Sequence, residues 1–425
     1  MNPQDLLFSL FTPEGRENPF PALEALRENF PVYYDKDLDT YFLTTYADCQ
    51  AVLTDSSFRT PDLAWCEDHL PDWREHPAAD FFYASMLRAN QPDHTRLRRL
   101  IGAGFTPRRV AALSTAVEEL TDSLLDAFAE ATADGAAANF QELVGYPLPV
   151  AVVGELIGVP AEDRLRFQRL GGDASRLLEP VRTEEDWARA DAAVIELRAY
   201  FEDLLQRRAV EPREDLATVL LETGEGQDRL TRKEVVDTLL LTFVAGFETT
   251  AAMLGIATHA LLTHPEQRAA LEADPELAAQ AVDEALRWDT PVQMTERIAS
   301  VATEIRGVAV PAGANVTTVL AAANRDPAQF TDPHRFDVRR SGSRVMSFSA
   351  GPHYCLGAAL ARLEGSIAVT RLFARFPGLA LAGTPVRRES FSLRMYEDLP
   401  LTTTTAAGSV AAPARAAAGA TTTKD

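Results

Sequence analysis

A single cysteine in the last quarter of the chain has surroundings that suit a metal-binding thiolate. Cys355 lies in the segment 348–357, which also holds two glycines and a histidine, and a helical pattern over 358–373 follows at once. Such a loop can turn a sulfur toward a metal and surround it with backbone N–H groups, and a helix N-terminus lowers the pKa of a thiol. Hydrogen bonds to the sulfur would tune the charge that it donates to the metal. A buried, inert cysteine is the alternative interpretation.

Polar residues interrupt an otherwise apolar helical pattern over 235–262. Glu248 and Thr249 follow Ala245 there, after a glycine and a phenylalanine. Small residues and hydroxyl groups can open the hydrogen-bond ladder of a helix and leave room for a ligand and an ordered water. A carboxylate in a core-facing run is costly unless it has partners or a function, which favours a role for Glu248 in proton delivery. The alternative is a Glu248 side chain that turns out to solvent.

Two further patterns lie between this helix and the cysteine. Glu284 and Arg287 form an i,i+3 pair, which on an exposed helix would contribute only about 0.3 to 0.5 kcal/mol. Two proline-containing turns with acidic and basic residues follow at 323–327 and 332–337, and ordinary surface turns would explain them equally well. Each pattern is weak alone, so their order along the chain carries the information.

Composition narrows the class of protein. The chain has 425 residues, 46% of them hydrophobic, so it can bury a large core, and its net charge of −21 disfavours nucleic acid or an anionic membrane surface as a partner. Small-molecule chemistry is favoured instead. Cys49, Cys66 and Cys355 have no paired spacing, which fits a reducing compartment and argues against a disulfide framework or a zinc site.

No segment has the pattern of a signal peptide or a membrane anchor. The longest mostly apolar run, 239–247, is far shorter than the roughly 20 residues that span a bilayer. We therefore expect a cytoplasmic protein. No linker divides the chain, which predicts a single domain over 1–401 and a disordered, low-complexity tail over 402–425.

Helices are expected to position most of these residues. Residues 92–286 have mostly helical periodicity, and Thr231 and Glu234 have the spacing of a capping box at the start of the long helix. The remaining expectations are a hairpin of 32–34 with 41–44, a helix over 46–53, and strands over 303–308 and 316–320 separated by a turn at 310–313. The segment 58–91 is expected to be loop-rich, either as a lid or pocket wall or as a plain surface loop held by its aromatic side chains.

The order of these motifs resembles that of the cytochrome P-450 family, in its soluble bacterial branch. Four motifs follow one another along the chain: a helix with a polar interruption, Glu-x-x-Arg, Asn-Arg-Asp-Pro, and a Cys loop before a helix. The resemblance extends over about 18–401. It implies a mainly α fold with small β-sheets, a triangular prism in which haem b lies between the long helix and the Cys-loop helix. Ser349 departs from the glycine that this branch often has.

The resemblance also implies roles for individual residues. Cys355 would bind the haem iron with Phe348 packed near it, and Glu248 and Thr249 would relay protons to dioxygen. Further haem contacts would come from Ala245, His94, Arg98, Arg297, His353 and Gly357. A buried charge triad of Glu284, Arg287 and Arg335 would brace the Cys loop. The substrate pocket would include Phe82, Met86, Phe243, Val244, Val292, Met294 and Met395.

The implied reaction is oxygenation of a small molecule. The chain has no flavin or iron–sulfur motif, so electrons from NAD(P)H would arrive through a separate ferredoxin and ferredoxin reductase. Arginines at 96–109 and 339–344 could steer an acidic ferredoxin to the Cys side of a monomeric enzyme. We expect hydroxylation or epoxidation of a bulky apolar secondary metabolite such as a polyketide or macrolide.

Two alternatives stay open at this stage. The enzyme could catalyse oxidative ring closure or coupling of a peptide or terpenoid metabolite. In another class, the chain could be a non-catalytic haem-binding partner or sensor protein. Such a protein would need Cys355 but not Glu248 and Thr249, so the presence of that pair favours oxygen activation.

Overall fold

The computed structural model describes residues 2–179, 182–224, 229–342, 344–390 and 392–403. Helices dominate this part of the chain, with small sheets beside them, which confirms the predicted fold class. The α-helices are α1 (Pro3–Ser9), α2 (Pro13–Glu17), α3 (Phe20–Asn29), α4 (Tyr46–Thr54), α5 (Leu63–His69), α6 (Pro77–Ala84), α7 (Asp93–Gly102), α8 (Pro107–Ala112), α9 (Ser114–Ala131), α10 (Pro147–Ile157), α11 (Arg164–Ala174), α12 (Glu184–Val210), α13 (Leu216–Glu222), α14 (Arg232–Thr263), α15 (Pro265–Ala273), α16 (Ala278–Trp288), α17 (Leu320–Ala323) and α18 (Ala358–Arg375). The strands are β1 (Val32–Asp35), β2 (Thr40–Leu43), β3 (Phe58–Arg59), β4 (Ala138–Asn139), β5 (Thr295–Ala299), β6 (Thr303–Ile305), β7 (Val308–Val310), β8 (Asn315–Thr318), β9 (Ala380–Leu381), β10 (Val386–Arg387), β11 (Tyr396–Asp398) and β12 (Pro400–Thr402). The expected tail falls outside the described residues apart from 402 and 403.

The long helix α14 runs through the centre of the fold. The predicted capping box fixes its start: the Glu234 N–H donates to the Thr231 hydroxyl at 3.2 Å, and the Thr231 N–H donates to the Glu234 carboxylate at 2.7 Å. Helices α10, α12, α16 and α18 pack against it. By length and hydropathy alone α14 could cross a membrane, but 72% of its most apolar window is buried inside the fold. Its composition is therefore that of a core helix.

A five-stranded sheet packs beside the helices in the order β1-β2-β8-β5-β3. Strands β1 and β2 form the predicted antiparallel hairpin, and β8 runs parallel to β2. Alternate side chains such as Leu43 and Val316 point into a buried apolar cluster that also holds Cys49 of α4. Strand β5 pairs antiparallel with β8 and carries Arg297 opposite Val316. The sheet therefore determines where Arg297 lies.

The prediction of a loop-rich segment over 58–91 is wrong, because two helices form there. The Asp62 carboxylate caps α5 by accepting from the N–H groups of Ala64 and Trp65 at 3.1 and 3.2 Å. Helix α6 begins at Pro77, where the missing N–H is harmless, and it buries an aromatic cluster. Helices of seven and eight residues are too short to show a clear apolar period, so packing rather than periodicity reveals them.

The strand predicted over 303–308 is divided by a tight turn. Arg306 and Gly307 both have positive φ, 51° and 79°, and they join β6 to β7 as a hairpin. The predicted turn at 310–313 is also present, with the Ala314 N–H donating to the Pro311 carbonyl at 3.2 Å. Sequence alternation alone did not separate these two short strands.

Candidate functional site

The loop before α18 has a backbone that only particular residues can adopt. Gly351 has a φ of 66°, and a Cβ at that position would lie 2.3 Å from the Leu53 carbonyl oxygen, so a larger residue would collide with α4. The Cys355 N–H donates to the Phe348 carbonyl at 2.9 Å, which closes the loop on itself. This local fold places Cys355 three residues before the first residue of α18.

The Cys355 sulfur is both solvent-accessible and closely surrounded by protein. Its side chain is accessible to solvent, unlike those of Cys49 and Cys66, yet enough protein surrounds it for burial to raise the pKa of its thiol. The backbone N–H groups of Gly357 and Ala358 hydrogen-bond to the sulfur and oppose that rise. An accessible sulfur with two N–H donors is the environment that a metal-bound thiolate needs, and an inert core cysteine would lack it.

Four basic residues gather near the Cys loop. The rings of His94 and His353 lie 4.1 Å apart, and the Arg98 Nη2 donates to the Tyr354 carbonyl at 2.7 Å. Arg297 is 4% exposed, and burial lowers the pKa of its guanidinium to about 10, with the nearby Arg88 adding to the effect. Burial, and then the charge of Arg297, lower the pKa of His353 to about 3.

This basic group has the chemistry of an anion site. In the described part of the chain, none of the four residues forms an ion pair with a carboxylate. A buried guanidinium without a counter-charge is unfavourable, so its retention indicates an anionic ligand. Two carboxylates, such as the propionates of a haem, would satisfy these donors. The residues present therefore fit the cofactor that the resemblance implies, with a thiolate for the iron and cationic groups for the propionates.

The predicted acid and alcohol lie side by side on α14. Glu248 is 2% exposed, so the alternative of a solvent-facing side chain is wrong. One carboxylate oxygen accepts from Arg388 Nη1 at 2.7 Å, while the other, Oε2, is buried without a partner among the described residues. The Thr249 hydroxyl donates to the Ala245 carbonyl at 2.8 Å. Ala245 itself is exposed in the middle of a buried helix, so solvent-accessible space reaches α14 at this turn.

The structure corrects one member of the predicted charge triad. Glu284 and Arg287 are both buried and form a two-bond ion pair at 2.7 and 2.8 Å. The side chain of Arg335 is exposed, and only its backbone carbonyl contributes, by accepting from Arg287 at 3.0 Å. Arg340 takes the third position, because its Nε donates to Glu284 at 3.0 Å. The turn after Asp332 directs Arg335 outward, and the chain returns to the cluster only at 340.

Asn324 links this ion cluster to the segment before the Cys loop. Its carbonyl accepts from Arg287 at 3.1 Å, and its side-chain oxygen accepts from the Met346 N–H at 2.7 Å. Its amide nitrogen donates to Ser347, whose hydroxyl donates to the Leu286 carbonyl at 2.7 Å. The cluster is therefore connected to residues 346–348 by a continuous hydrogen-bond chain. Sequence reasoning found the Asn-Arg-Asp-Pro motif but assigned no contact to Asn324.

The predicted pocket residues divide into two groups. Met395 is fully buried against α14, where Val292 also packs, and Met294 and Met395 both line a recess beside the C-terminal hairpin. Phe243 is fully buried and packs edge-on against Phe167, with ring centroids 4.9 Å apart. The others, Phe82, Met86 and Val244, belong to the large apolar cluster. Sequence reasoning missed Arg388, which lies beside Glu248 although 140 residues separate the two.

Comparison with known proteins agrees with this geometry. The family model described as cytochrome P450 matches residues 29–391. Two curated relatives, each 38% identical, are 6-deoxyerythronolide B hydroxylase of Saccharopolyspora erythraea, covering 88% of this chain and 94% of the relative, and cytochrome P450 monooxygenase PikC of Streptomyces venezuelae, covering 87% and 86%. A crystal structure of P450BioI in complex with hexadec-9Z-enoic acid ligated acyl carrier protein superposes with a TM-score of 0.85 at 34% identity, covering 92% of this chain and all of that one. The chain therefore belongs to the cytochrome P450 family and is a monooxygenase of its bacterial branch.

Proposed function

We propose that this monooxygenase binds haem b through Cys355 and oxidises a bulky apolar secondary metabolite, such as a polyketide or macrolide. One observation carries the proposal: an accessible sulfur with two backbone N–H donors lies near four basic groups that have no carboxylate partner in the described part of the chain. When bound, the haem supplies the activation of dioxygen, which no side chain can provide.

Five residues would hold the haem in this proposal. Cys355 binds the iron, and the N–H groups of the following turn keep the thiolate charge in place. Arg297, His94, Arg98 and His353 bind the two propionates as hydrogen-bond donors or cations. The ion cluster of Glu284, Arg287 and Arg340 does not contact the cofactor in this scheme. It holds the loop that presents the sulfur, through Asn324.

Proton delivery would depend on Glu248 and Thr249. Glu248 is the buried acid, and Thr249 is the hydroxyl that lies one residue further along α14. The Thr249 hydroxyl donates to Ala245 at 2.8 Å, so its lone pairs are available to accept a proton donor, and rotation about its side chain lets it donate in turn. The ion pair with Arg388 occupies one carboxylate oxygen of Glu248 at 2.7 Å, so this contact must change before that oxygen can pass a proton to Thr249.

The substrate class follows from the relatives, and the electron source from the surface charge. One named relative is a 6-deoxyerythronolide B hydroxylase, and the other is a cytochrome P450 monooxygenase. The name of the first supports hydroxylation of a macrolide-type compound. Arg108, Arg109, Arg339 and Arg344 are exposed and provide a basic surface for an acidic ferredoxin, which would receive electrons from NAD(P)H through its reductase. We propose a cytoplasmic monomer with a single domain over 1–401.

The carbon monoxide difference spectrum of the reduced protein tests the proposal. We expect a strongly red-shifted Soret band that disappears in Cys355→Ser. A haem protein with an unshifted band would mean that another residue binds the iron, and a protein purified without haem would contradict the proposal altogether. With a shifted band in hand, spectral titration with macrolide aglycones would test the substrate class.

A further inference from the structure

A narrow recess opens between the N-terminal helices and the C-terminal hairpin β10–β11. Apolar side chains of Leu23, Met294 and Met395 form part of its lining, and guanidinium groups of Arg16, Arg387 and Arg388 lie among them. Met294 and Met395 are also members of the predicted substrate pocket. The concentration of cations is unexpected in a chain of net charge −21. An apolar recess with several guanidinium groups has the chemistry to bind an apolar molecule that bears an anion.

Arg387 and Arg388 each pair with a buried carboxylate beside this recess. Arg388 donates through Nη1 to Glu248 at 2.7 Å and contacts the Met395 sulfur at 3.6 Å, and its side chain remains 28% exposed. Arg387 pairs with the buried Asp289 at 2.8 Å, and its Nε lies 3.8 Å from a Glu17 carboxylate oxygen, but its buried Nη1 has no hydrogen-bond partner among the described residues. Buried donors without acceptors are rare in folded proteins, and they indicate that a ligand can supply the acceptor.

We propose that this recess binds the carboxylate of an otherwise apolar substrate, and that the carboxylate competes with Glu248 for Arg388. The inference rests on the proposed function, because it assumes that Glu248 is the acid of that site. A guanidinium binds a carboxylate through two parallel N–H bonds, and a ligand carboxylate could replace the Glu248 oxygen that Arg388 Nη1 now contacts. The substrate would then be held at its anionic end while its apolar body extends past Met294 and Met395 toward α14.

Competition would connect substrate binding to proton delivery. Glu248 already has one buried oxygen without a partner, and the bond from Arg388 is the one ion pair it forms in the described structure. If a ligand takes Arg388, the buried Glu248 carboxylate loses the ion pair that holds its side chain in place. Glu248 would therefore be released for its role beside Thr249 as the substrate binds, and it would stay paired with Arg388 when the recess is empty.

The first experiment measures whether the recess prefers an anion. Decanoate and decanamide have the same length and shape and differ in charge, so their affinities for the haem-loaded enzyme can be compared by isothermal titration calorimetry. We expect decanoate to bind about tenfold more tightly, and the preference to fall to about one in Arg388→Gln. Arg388→Lys should keep part of the preference and serves if the glutamine variant does not fold. Arg169→Gln, an exposed position on α11, is the matched control. Equal affinities in the wild-type protein would overturn the inference.

The second experiment tests the competition itself. Glu248→Gln removes the charge that holds Arg388, so decanoate should bind several-fold more tightly to this variant, while decanamide binds as before. An unchanged or weaker affinity for decanoate would refute the competition. Neither titration requires turnover, so the two proposals can fail separately. A shifted carbon monoxide band without any preference for decanoate overturns this inference alone, and a missing band overturns the proposed function.

Discussion

The ion cluster around Glu284 offers a prediction that separates Arg340 from Arg335. Arg340→Gln removes a cation that donates to the buried Glu284 carboxylate at 3.0 Å and to the Thr331 carbonyl at 2.6 Å. Hydrogen bonds to charged groups contribute about 1.5 to 3 kcal/mol. Because Arg287 keeps both of its own bonds to Glu284, the carboxylate is weakened but not left unpaired. We therefore expect Arg340→Gln to lower the free energy of unfolding by about 2 kcal/mol.

Two substitutions calibrate this value. Arg335→Gln changes an exposed side chain that forms no ion pair in the described structure, so the expected loss stays within about 0.5 kcal/mol. Arg287→Gln removes the two-bond pair with Glu284 and the donor to the carbonyls of Asn324 and Pro333, while the Arg335 carbonyl keeps its bond from Arg340 at 3.1 Å. Breaking a buried pair by removing one partner costs about 3 to 5 kcal/mol, so this variant should be the least stable.

Urea unfolding followed by circular dichroism measures all three changes as shifts of the midpoint at constant slope. The haem content of each purified variant provides a second readout, since the cluster is connected to the Cys loop through Asn324. We expect haem loss to follow the same order: Arg287→Gln, then Arg340→Gln, then Arg335→Gln. If Arg335→Gln proved as destabilising as Arg340→Gln, the assignment of the third position to Arg340 would be wrong.

Three further substitutions test features of the backbone and of buried groups. Ser349 has φ 61° and ψ −164°, a backbone region that is essentially restricted to glycine, and its hydroxyl is buried without a partner among the described residues. Ser349→Gly should therefore raise the free energy of unfolding, measured in urea titrations, by about 1 to 2 kcal/mol. A lower free energy of unfolding in this variant would contradict the strain at Ser349. Burial, with Arg387 adding to it, lowers the pKa of His259 to about 4. Because that value lies below the unfolded pKa of about 6.5, protonation favours unfolding, so stability should fall from pH 6.5 toward 4 by the order of 3 kcal/mol, and a pH series on His259→Gln should lose this component. Burial also raises the pKa of Glu364 well above its ordinary value. The folded protein is therefore most stable below the unfolded pKa of this group, where the side chain is protonated, and it loses stability as the pH rises. Glu364→Gln should stabilise the protein at pH 7 and leave it little changed at pH 4, and equal effects at both pH values would count against this reasoning.

Local signals were sufficient where the interaction itself is local. The capping box of Thr231 and Glu234 forms as predicted, because its two hydrogen bonds join residues three apart and need no other part of the chain. The hairpin of β1 and β2 is predictable for the same reason. The helices α5 and α6 were missed, since seven or eight residues hold too few apolar positions for a period to show. Their burial of aromatic side chains depends on contacts with distant helices such as α12.

The candidate site was predictable where one residue carries the chemistry, and not where a partner must be chosen. Cys355 has no competitor in its loop, so once the order of the motifs along the chain indicated the family, its position in that order singled it out. The segment 335–340 contains three arginines, and nothing in the sequence indicates which one faces inward. The structure decides through the turn that follows Asp332, which sends the Arg335 side chain to the surface and returns Arg340 to Glu284. Turn geometry, rather than residue type, therefore selects the third member of the cluster.

The partner of Glu248, Arg388, could not be predicted from the sequence. The sequence offered two alternatives, a functional acid or a solvent-facing side chain, because a buried carboxylate without a partner is too costly to retain. The structure shows a third arrangement, in which a buried Glu248 is held by an arginine from a hairpin 140 residues away. A permanent partner would be expected to satisfy both carboxylate oxygens, as Arg287 does for Glu284. Arg388 satisfies only one and remains partly exposed at the recess, which is the arrangement of a partner that can be exchanged.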